Sequence, residues 1–164
     1  MNTEQLREVL GGGPVERIGL RGTILFELYD KNGDRKERRE VKNLVVNAGL
    51  TKAAKFFAGT DTPAVDYIAI GTGATAAANG DTALQTEVAR SQGTKSTVTT
   101  TVTDDTYQVQ VTFAAGTGTG AITEAGLLDA ASTGDLLCRQ VFSAVNKGAG
   151  DTLQVTWKIQ MQRV

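Results

Sequence analysis

The sequence contains no histidine, one cysteine (Cys138) and two prolines among its 164 residues. Without histidine, the chain cannot form a Ser-His-Asp or Cys-His nucleophile pair, a histidine-ligated zinc site or an imidazole general base. A single cysteine excludes an intrachain disulfide framework and a cysteine-rich metal cluster. Only carboxylate or lysine chemistry stays open, so the composition favours a protein that is not an enzyme.

Strong charge and long apolar runs are also missing. The formal net charge is −1 with 21% charged residues, which does not suit a nucleic-acid or polybasic membrane binder. No apolar run approaches the roughly 20 residues that span a bilayer, and the N-terminus lacks the charged-then-apolar order of a signal peptide. We therefore expect no nucleic acid and no membrane among its partners, and synthesis in the cytoplasm.

Small and turn-forming residues dominate instead, with 19 glycines and 23 threonines. Threonine suits a pleated, half-exposed surface and glycine marks tight turns, so the mixture predicts a mainly β fold. We expect an antiparallel β-sandwich, jelly-roll-like, with one short α-helix and an N-terminal arm. The arm is assigned to residues 1–20 and the single sandwich domain to residues 21–164.

Several segments show strand patterns. The clearest is the C-terminal one, in which apolar and polar residues alternate from Leu153 to Arg163. Asn32-Gly33 predicts a hairpin turn that matches strand twist, and the charged run after it predicts a solvated edge strand. Residues 81–90 fit either a short helix or an extended connection. Strands are predicted at 23–29, 35–40, 65–70, 94–103, 106–113, 122–129, 136–142 and 153–163.

One segment has the signals of a helix within the domain. Asn47 can cap it, Ala58 is its last residue and Gly59 ends it. Its apolar residues predict a face that covers one end of a sheet and belongs to the core. These residues are Leu50, Ala53, Ala54, Phe56 and Phe57.

The N-terminal arm carries the candidate interface. Three apolar residues have helical spacing behind a cap at Asn2 or Thr3, and Gly11-Gly-Gly-Pro ends this helix. So short a helix cannot bury its apolar residues alone, which favours docking on a neighbouring subunit; the alternative is a frayed terminus. The interface residues are Leu6, Val9, Leu10, Val15, Ile18 and Leu20.

No motif supplies chemistry. Gly71-Thr-Gly and Gly116-Thr-Gly-Thr-Gly lack the features of a phosphate cradle and predict β-turns, and the acidic residues 30–34 fail the calcium-loop spacing. Buried carboxylates in such a chain accept loop amides or pair with arginine, and Cys138 fits an inert core position. We expect no catalytic residues, no cofactor and no metal. The carboxylates in question are Glu87, Glu124 and Asp129, with Arg90 and Arg139 as partners.

Five phrases, in this order, resemble a family of small tailed-bacteriophage virion proteins. They are Lys42-Asn-Leu-Val-Val-Asn-Ala-Gly-Leu, Tyr67-Ile-Ala-Ile-Gly-Thr-Gly, Asp81-Thr-Ala-Leu-Gln-Thr-Glu-Val-Ala-Arg, Ile122-Thr-Glu-Ala-Gly-Leu-Leu-Asp-Ala and Gly148-Ala-Gly-Asp-Thr-Leu-Gln-Val-Thr-Trp. Parts of them are also similar to the N-terminal attachment domain of phage tail-collar fibre proteins. The resemblance covers roughly residues 40–160.

This resemblance implies a virion structural protein with no catalytic residues. Because the sequence ends at Val164 with its last strand, we expect no fibre shaft, which favours a capsid decoration (cement) protein over a tail or baseplate adaptor. The implied partners are the major capsid protein or other virion proteins. A homotrimer would match the local three-fold positions of a capsid, and the implied location is the capsid surface.

Overall fold

A computed structural model describes residues 2, 5, 9, 17–60 and 63–164. Ten strands and one helix are assigned over residues 17–60 and 63–164. In chain order they are β1 (Ile18–Tyr29), β2 (Arg35–Lys42), β3 (Leu44–Val45), α1 (Asn47–Ala58), β4 (Tyr67–Gly71), β5 (Glu87–Gln92), β6 (Thr94–Val98), β7 (Thr106–Phe113), β8 (Gly120–Leu128), β9 (Leu136–Lys147) and β10 (Thr152–Arg163).

The strands form two five-stranded antiparallel sheets. Sheet A has the order β2-β1-β10-β7-β6, and sheet B has the order β3-β9-β8-β4-β5. Every paired strand runs antiparallel to its neighbour. The predicted class, an antiparallel β-sandwich with one short helix, is confirmed.

The core lies between the inner faces of the two sheets. Alternation along β10 puts Leu153, Val155, Trp157 and Ile159 inside, each no more than 4% exposed, as the sequence pattern predicts. Both sheets contribute to one continuous cluster, so neither face is left solvated where they overlap. From sheet A come Ile24, Phe26, Leu28, Val109, Val111 and Phe113, and from sheet B Ile68, Ile70, Ile122, Leu127, Cys138 and Val145.

The chain crosses from one sheet to the other at both sides of the sandwich. Asn43 separates β2 of sheet A from β3 of sheet B, and Gly93 separates β5 of sheet B from β6 of sheet A. A side chain at Gly93 would clash with Val109, so this corner requires glycine. All four strands at these corners are edges, and β2 carries the charged run predicted for an edge.

The hairpin between β1 and β2 is confirmed, but its turn differs from the predicted one. Only Gly33 of the Asn32-Gly33 pair has positive φ, at 87°, whereas the twist-matched two-residue turn needs positive φ at both residues. Asp30 closes a three-residue loop instead: its N–H donates to the carbonyl of Asp34 at 2.9 Å. The Asp30 carboxylate also accepts the Asn32 and Asp34 amides at 2.8 and 3.0 Å.

The helix α1 has the predicted bounds but not the predicted cap or buried face. Val46 occupies the N-cap position with no side-chain hydrogen bond, and Asn47 is already the first helical residue. Gly59 ends the helix in the left-handed region at φ 67°, as predicted. The cap prediction is wrong because the Val46 N–H pairs with the carbonyl of Leu137, which ties the helix entry to sheet B.

The residues of α1 that are buried are Gly49 and Lys52, not its aromatic pair. Phe57 is 80% exposed and Phe56 42%, so assigning this face to the core was wrong. Gly49 faces the Leu137 carbonyl of β9, where a Cβ would clash, and this close approach decides which side of the helix packs. The remaining residues of the predicted face, Leu50 and Ala54, are exposed, and Ala53 is partly buried.

Two strand boundaries could not be predicted from the sequence and are defined by the structure. Residues 81–86 form an irregular connection and residues 87–90 belong to β5, so the open choice is resolved against a helix. The strand predicted at 94–103 stops at Val98, because the carboxylate of Asp105 accepts the backbone N–H groups of Thr100, Thr101 and Val102 and folds them into a loop.

We predict that Phe113→Ala lowers the free energy of unfolding by about 3–5 kcal/mol, because the side chain is 1% exposed in the central cluster. Phe57→Ala is the matched control and should change it by no more than about 0.5 kcal/mol. Urea unfolding of both variants measures the two values. Similar losses in the two would contradict this description of the core.

Candidate partner-binding groove

An open apolar groove of about 410 Å³ lies at one end of the sandwich. Its walls come from the start of β1, the end of β10, the helix α1 and the β6–β7 hairpin. The residues that line it are mainly apolar: Leu20, Ala53, Phe56, Ala64, Val65, Leu137, Ile159 and Met161, with Lys95, Thr97, Asp104, Asp105 and Tyr107 at its rim.

The groove exists because the inner face of sheet A runs beyond the core. Along the inner side of β1, exposure rises from 0% at Ile24 to 77% at Ile18, with Leu20 partly buried between them. Along β10 it rises from 4% at Ile159 to 48% at Met161, the residue that pairs with Leu20. The apolar alternation therefore continues where no strand of sheet B covers it.

The helix α1 supplies the facing wall through Ala53 and Phe56. The buried ammonium of Lys52 fixes this wall: its Nζ lies 2.6 Å from the Asp129 carboxylate and 5.3 Å from the centroid of the Phe56 ring. The Phe56 ring is thus held by a cation–π contact on one side while it lines the groove.

Polar groups at the rim are already bonded within the chain. Lys95 pairs with Asp66 at 2.9 Å, and the Tyr107 hydroxyl donates to the Val65 carbonyl at 3.0 Å. Burial, together with the charge of Asp66, raises the pKa of Tyr107 to about 12, so the phenol stays protonated. Because these groups are satisfied, the groove offers apolar contact area and suits aliphatic side chains better than ions.

Of the predicted interface residues, Leu20 lines this groove and Ile18 lies at the exposed start of the same strand. Both belong to β1, so the boundary predicted between residues 20 and 21 falls inside a strand. Val9 is helical and 69% exposed. Leu6, Leu10 and Val15 lie outside the described residues.

The predicted cap at Asn2 is present. The Asn2 carboxamide oxygen accepts the Gln5 N–H at 2.8 Å, and the Gln5 side chain accepts the Asn2 N–H at 2.8 Å. This reciprocal pair is a capping box, which marks the start of a helix.

Sequence reasoning missed the other side of the groove. Phe56 and Met161 were assigned to buried faces, and Tyr107 was not singled out. The available signal was the length of the last strand: the alternation of β10 extends over 12 residues, and its apolar side continues beyond Ile159 to Met161.

The carboxylate of Glu124 forms a buried ionic centre away from the groove. It is 0% exposed and accepts the N–H groups of Gly73, Gln85 and Thr86 at 2.6–3.0 Å, and Arg139 donates to it at 2.8 Å. Burial raises the pKa of Glu124, but these hydrogen bonds outweigh it and hold the pKa below its ordinary value. The carboxylate is therefore charged and fully engaged.

This centre explains the Gly71-Thr-Gly motif. A Cβ at Gly71 or Gly73 would clash with the Glu124 side chain, so glycines are needed where the loop wraps the carboxylate. Arg139 also donates to Asp81 at 2.7 Å and to the Thr75 carbonyl at 3.0 Å. The predicted role of Glu124 and Arg139 as a structural pair is confirmed.

The other two carboxylates are paired as well. The carboxylate of Asp129 forms an ion pair with Lys52 and accepts the Asp135 N–H at 2.7 Å. Glu87 forms a two-point contact with Arg90 at 2.7 and 2.9 Å. Glu87 thus pairs with one of the predicted arginines, but it is exposed, so placing it among the buried carboxylates was wrong. Asp129 accepts a loop amide as predicted, and its cation is Lys52.

Cys138 lies in β9 at 0% exposure, and burial raises the pKa of its thiol, so it is a core residue as predicted. Within residues 17–60 and 63–164 and the three described arm residues, no cluster of three or more metal-ligating side chains occurs. No helix in that same part of the chain is long and apolar enough to cross a bilayer.

Comparisons with protein families, with curated proteins and with solved structures find no match to this chain.

We predict that Glu124→Ala lowers the free energy of unfolding by about 3–5 kcal/mol, because it leaves Arg139 buried without its main partner. Glu40→Ala, on the exposed edge strand β2, is the control and should stay within about 0.5 kcal/mol of the parent. Thermal and urea unfolding give both values. If Glu124→Ala has a free energy of unfolding close to that of the parent protein, the loop is held to β8 by contacts other than the carboxylate.

Acid should unfold the protein through the same centre. The pKa of Glu124 is held below its ordinary value, and so is that of Asp81, where burial is outweighed by hydrogen bonds from Ala78 and Arg139. Carboxyls with lowered pKa stabilise the fold above their unfolded value and lose that contribution as pH falls. The free energy of unfolding should be nearly constant from pH 7 to about pH 5 and decline below about pH 4.

The control for this pH dependence is Glu124→Gln, which cannot titrate and should flatten the decline. Equal slopes below about pH 4 in the two proteins would assign acid sensitivity to other groups.

Proposed function

We propose that this protein is a structural component of a tailed-bacteriophage virion, a capsid decoration protein that bridges neighbouring subunits. The observation that carries the proposal is the pairing of a rigid sandwich with an apolar groove at the end where the N-terminal arm joins β1. An arm and an open apolar surface at one end are what a bridging protein needs. The order of the five sequence segments that resembles small virion proteins supports the same proposal.

The carboxylates support a structural role over an enzymatic one. Glu124, Asp129 and Glu87 are each held by cations or backbone amides, so none of them is positioned as a general acid or base for a substrate. The amides that Glu124 accepts also hold the loop between β4 and β5 against the sandwich. A protein present in many copies under internal pressure benefits from such fixed loops.

The edge strand β2 supports crowding without aggregation. Its run of Arg35, Lys36, Glu37, Arg38, Arg39 and Glu40 lies at the side of sheet A. Charged side chains on an edge oppose strand-to-strand pairing between copies. Contacts between copies are thereby directed to the end that carries the groove.

The partners proposed are the major capsid protein and further copies of this chain, with a homotrimer as the assembly. The trimer rests on the resemblance and on the three-fold positions available on a capsid. The arm residues and the groove supply the contact surfaces, and the charge of −1 limits repulsion between crowded copies.

The test is the position of the protein in purified phage particles. Heads and tails are separated and each fraction is analysed by quantitative mass spectrometry, with the major capsid protein and a tail-tube protein as internal controls. We expect the protein in the head fraction, in copy number proportional to the capsid protein. Particles grown without it should release DNA at a lower temperature.

Recovery with the tail fraction would overturn the decoration role and favour the tail or baseplate adaptor. Absence from both fractions would overturn the virion role altogether.

A further inference from the structure

We propose that the apolar groove receives the N-terminal helical stripe of a second copy of this chain. The stripe consists of Leu6, Val9 and Leu10, and the groove is the one bounded by Leu20, Phe56 and Met161. The inference deepens the proposed bridging role and rests on it for its biological setting, but its physical basis is the arm and the groove themselves.

Among the three described arm residues, the one apolar residue, Val9, is exposed. The capping box of Asn2 and Gln5 is closed, Gln5 and Val9 are helical, and Val9 is nevertheless 69% exposed. A helix this short is not stable in water without burial of an apolar face. Because its own domain leaves Val9 exposed, we assign its cover to another copy.

The place where the arm leaves the domain favours exchange. The Arg17 carbonyl accepts the N–H of Val164 at 3.0 Å, which fixes the chain beside the end of β10. The groove residue Leu20 is three positions further on, so arm and groove lie at the same end of the sandwich. The seven residues 11–17 can span up to about 23–25 Å when extended, enough to reach the matching end of a neighbouring copy.

The chemistry of the groove fits this occupant. Its walls are aliphatic and aromatic, and the rim groups Lys95, Asp105 and Tyr107 already have partners in the chain. Leucine and valine side chains at positions i, i+3 and i+4 form one narrow apolar stripe, the form in which a helix enters an apolar groove. A charged ligand would find no unpaired group among these three.

Two full-length variants test the pairing in solution. The arm variant carries Leu6→Ser and Leu10→Ser and keeps the groove. The groove variant carries Met161→Glu and keeps the arm; Met161 is 48% exposed, so the change places a charge in the groove without opening the core. Sedimentation velocity over a range of concentrations measures self-association, and thermal melting verifies that each variant folds.

Each test variant has a control with the same number of substitutions. Glu4→Gln with Glu8→Gln alters the arm outside the apolar stripe. Val88→Glu places the same charge at a similarly exposed residue, 42%, on β5 away from the groove. Both controls should associate like the parent protein.

We expect the parent to self-associate and each test variant to do so at least about tenfold more weakly. When the two variants are mixed, the intact arm of one can enter the intact groove of the other. A heterologous complex that neither variant forms alone is therefore the decisive result.

A parent protein that stays monomeric, or variants that associate like the parent, would overturn the inference. So would variants that lose association and do not recover it on mixing, because arm and groove would then act at different surfaces. These outcomes are independent of the virion test: exchange in solution can hold for a protein absent from particles, and a particle-bound protein can fail to exchange.

Discussion

A single buried carboxylate organises much of sheet B. Glu124 accepts three backbone amides from the loop between β4 and β5 and a two-point contact from Arg139 on β9, so one side chain joins the loop to two neighbouring strands. Removing one member of such a centre leaves a buried charge without water or partner, so Glu124 and Arg139 depend on each other. The glycines at 71 and 73 belong to the same centre because a Cβ at either position would clash with Glu124. The loop is long, yet three of its backbone amides are held by one buried carboxylate.

The groove follows from the reach of β1 and β10 in sheet A. These two strands pair with each other over 12 residues, and their apolar inner face continues to Ile18 and Met161, past the last fully buried residues. The same alternation that fills the core over Ile24 and Ile159 therefore produces exposed apolar residues at Ile18 and Met161. One pattern gives both the buried core and the exposed apolar groove.

Periodicity was sufficient to predict β7 and β10, because each depends on a local alternation with a period of two. Gly59 gave the end of α1 for the same local reason. The β class was predicted from the glycine and threonine content together with these strand patterns. The buried face of α1 could not be predicted from the sequence, because it depends on the approach of Gly49 to Leu137, nearly ninety residues later. The three backbone amides that Glu124 accepts, 38–51 residues away, were equally hidden, whereas Arg139 was among the arginines named as candidate partners.

The pairing of β1 with β10 determines when sheet A can form during synthesis of the chain. β1 and β10 are hydrogen-bonded over their whole length, from Ile18 with Arg163 to Tyr29 with Thr152. On a ribosome, β1 emerges long before its main partner, and sheet A closes only when the C-terminal residues have left the exit tunnel. The β1–β2 hairpin must wait with one apolar face uncovered, and the long-range pairing of β1 with β10 gives a topology of high contact order, for which slow folding is expected.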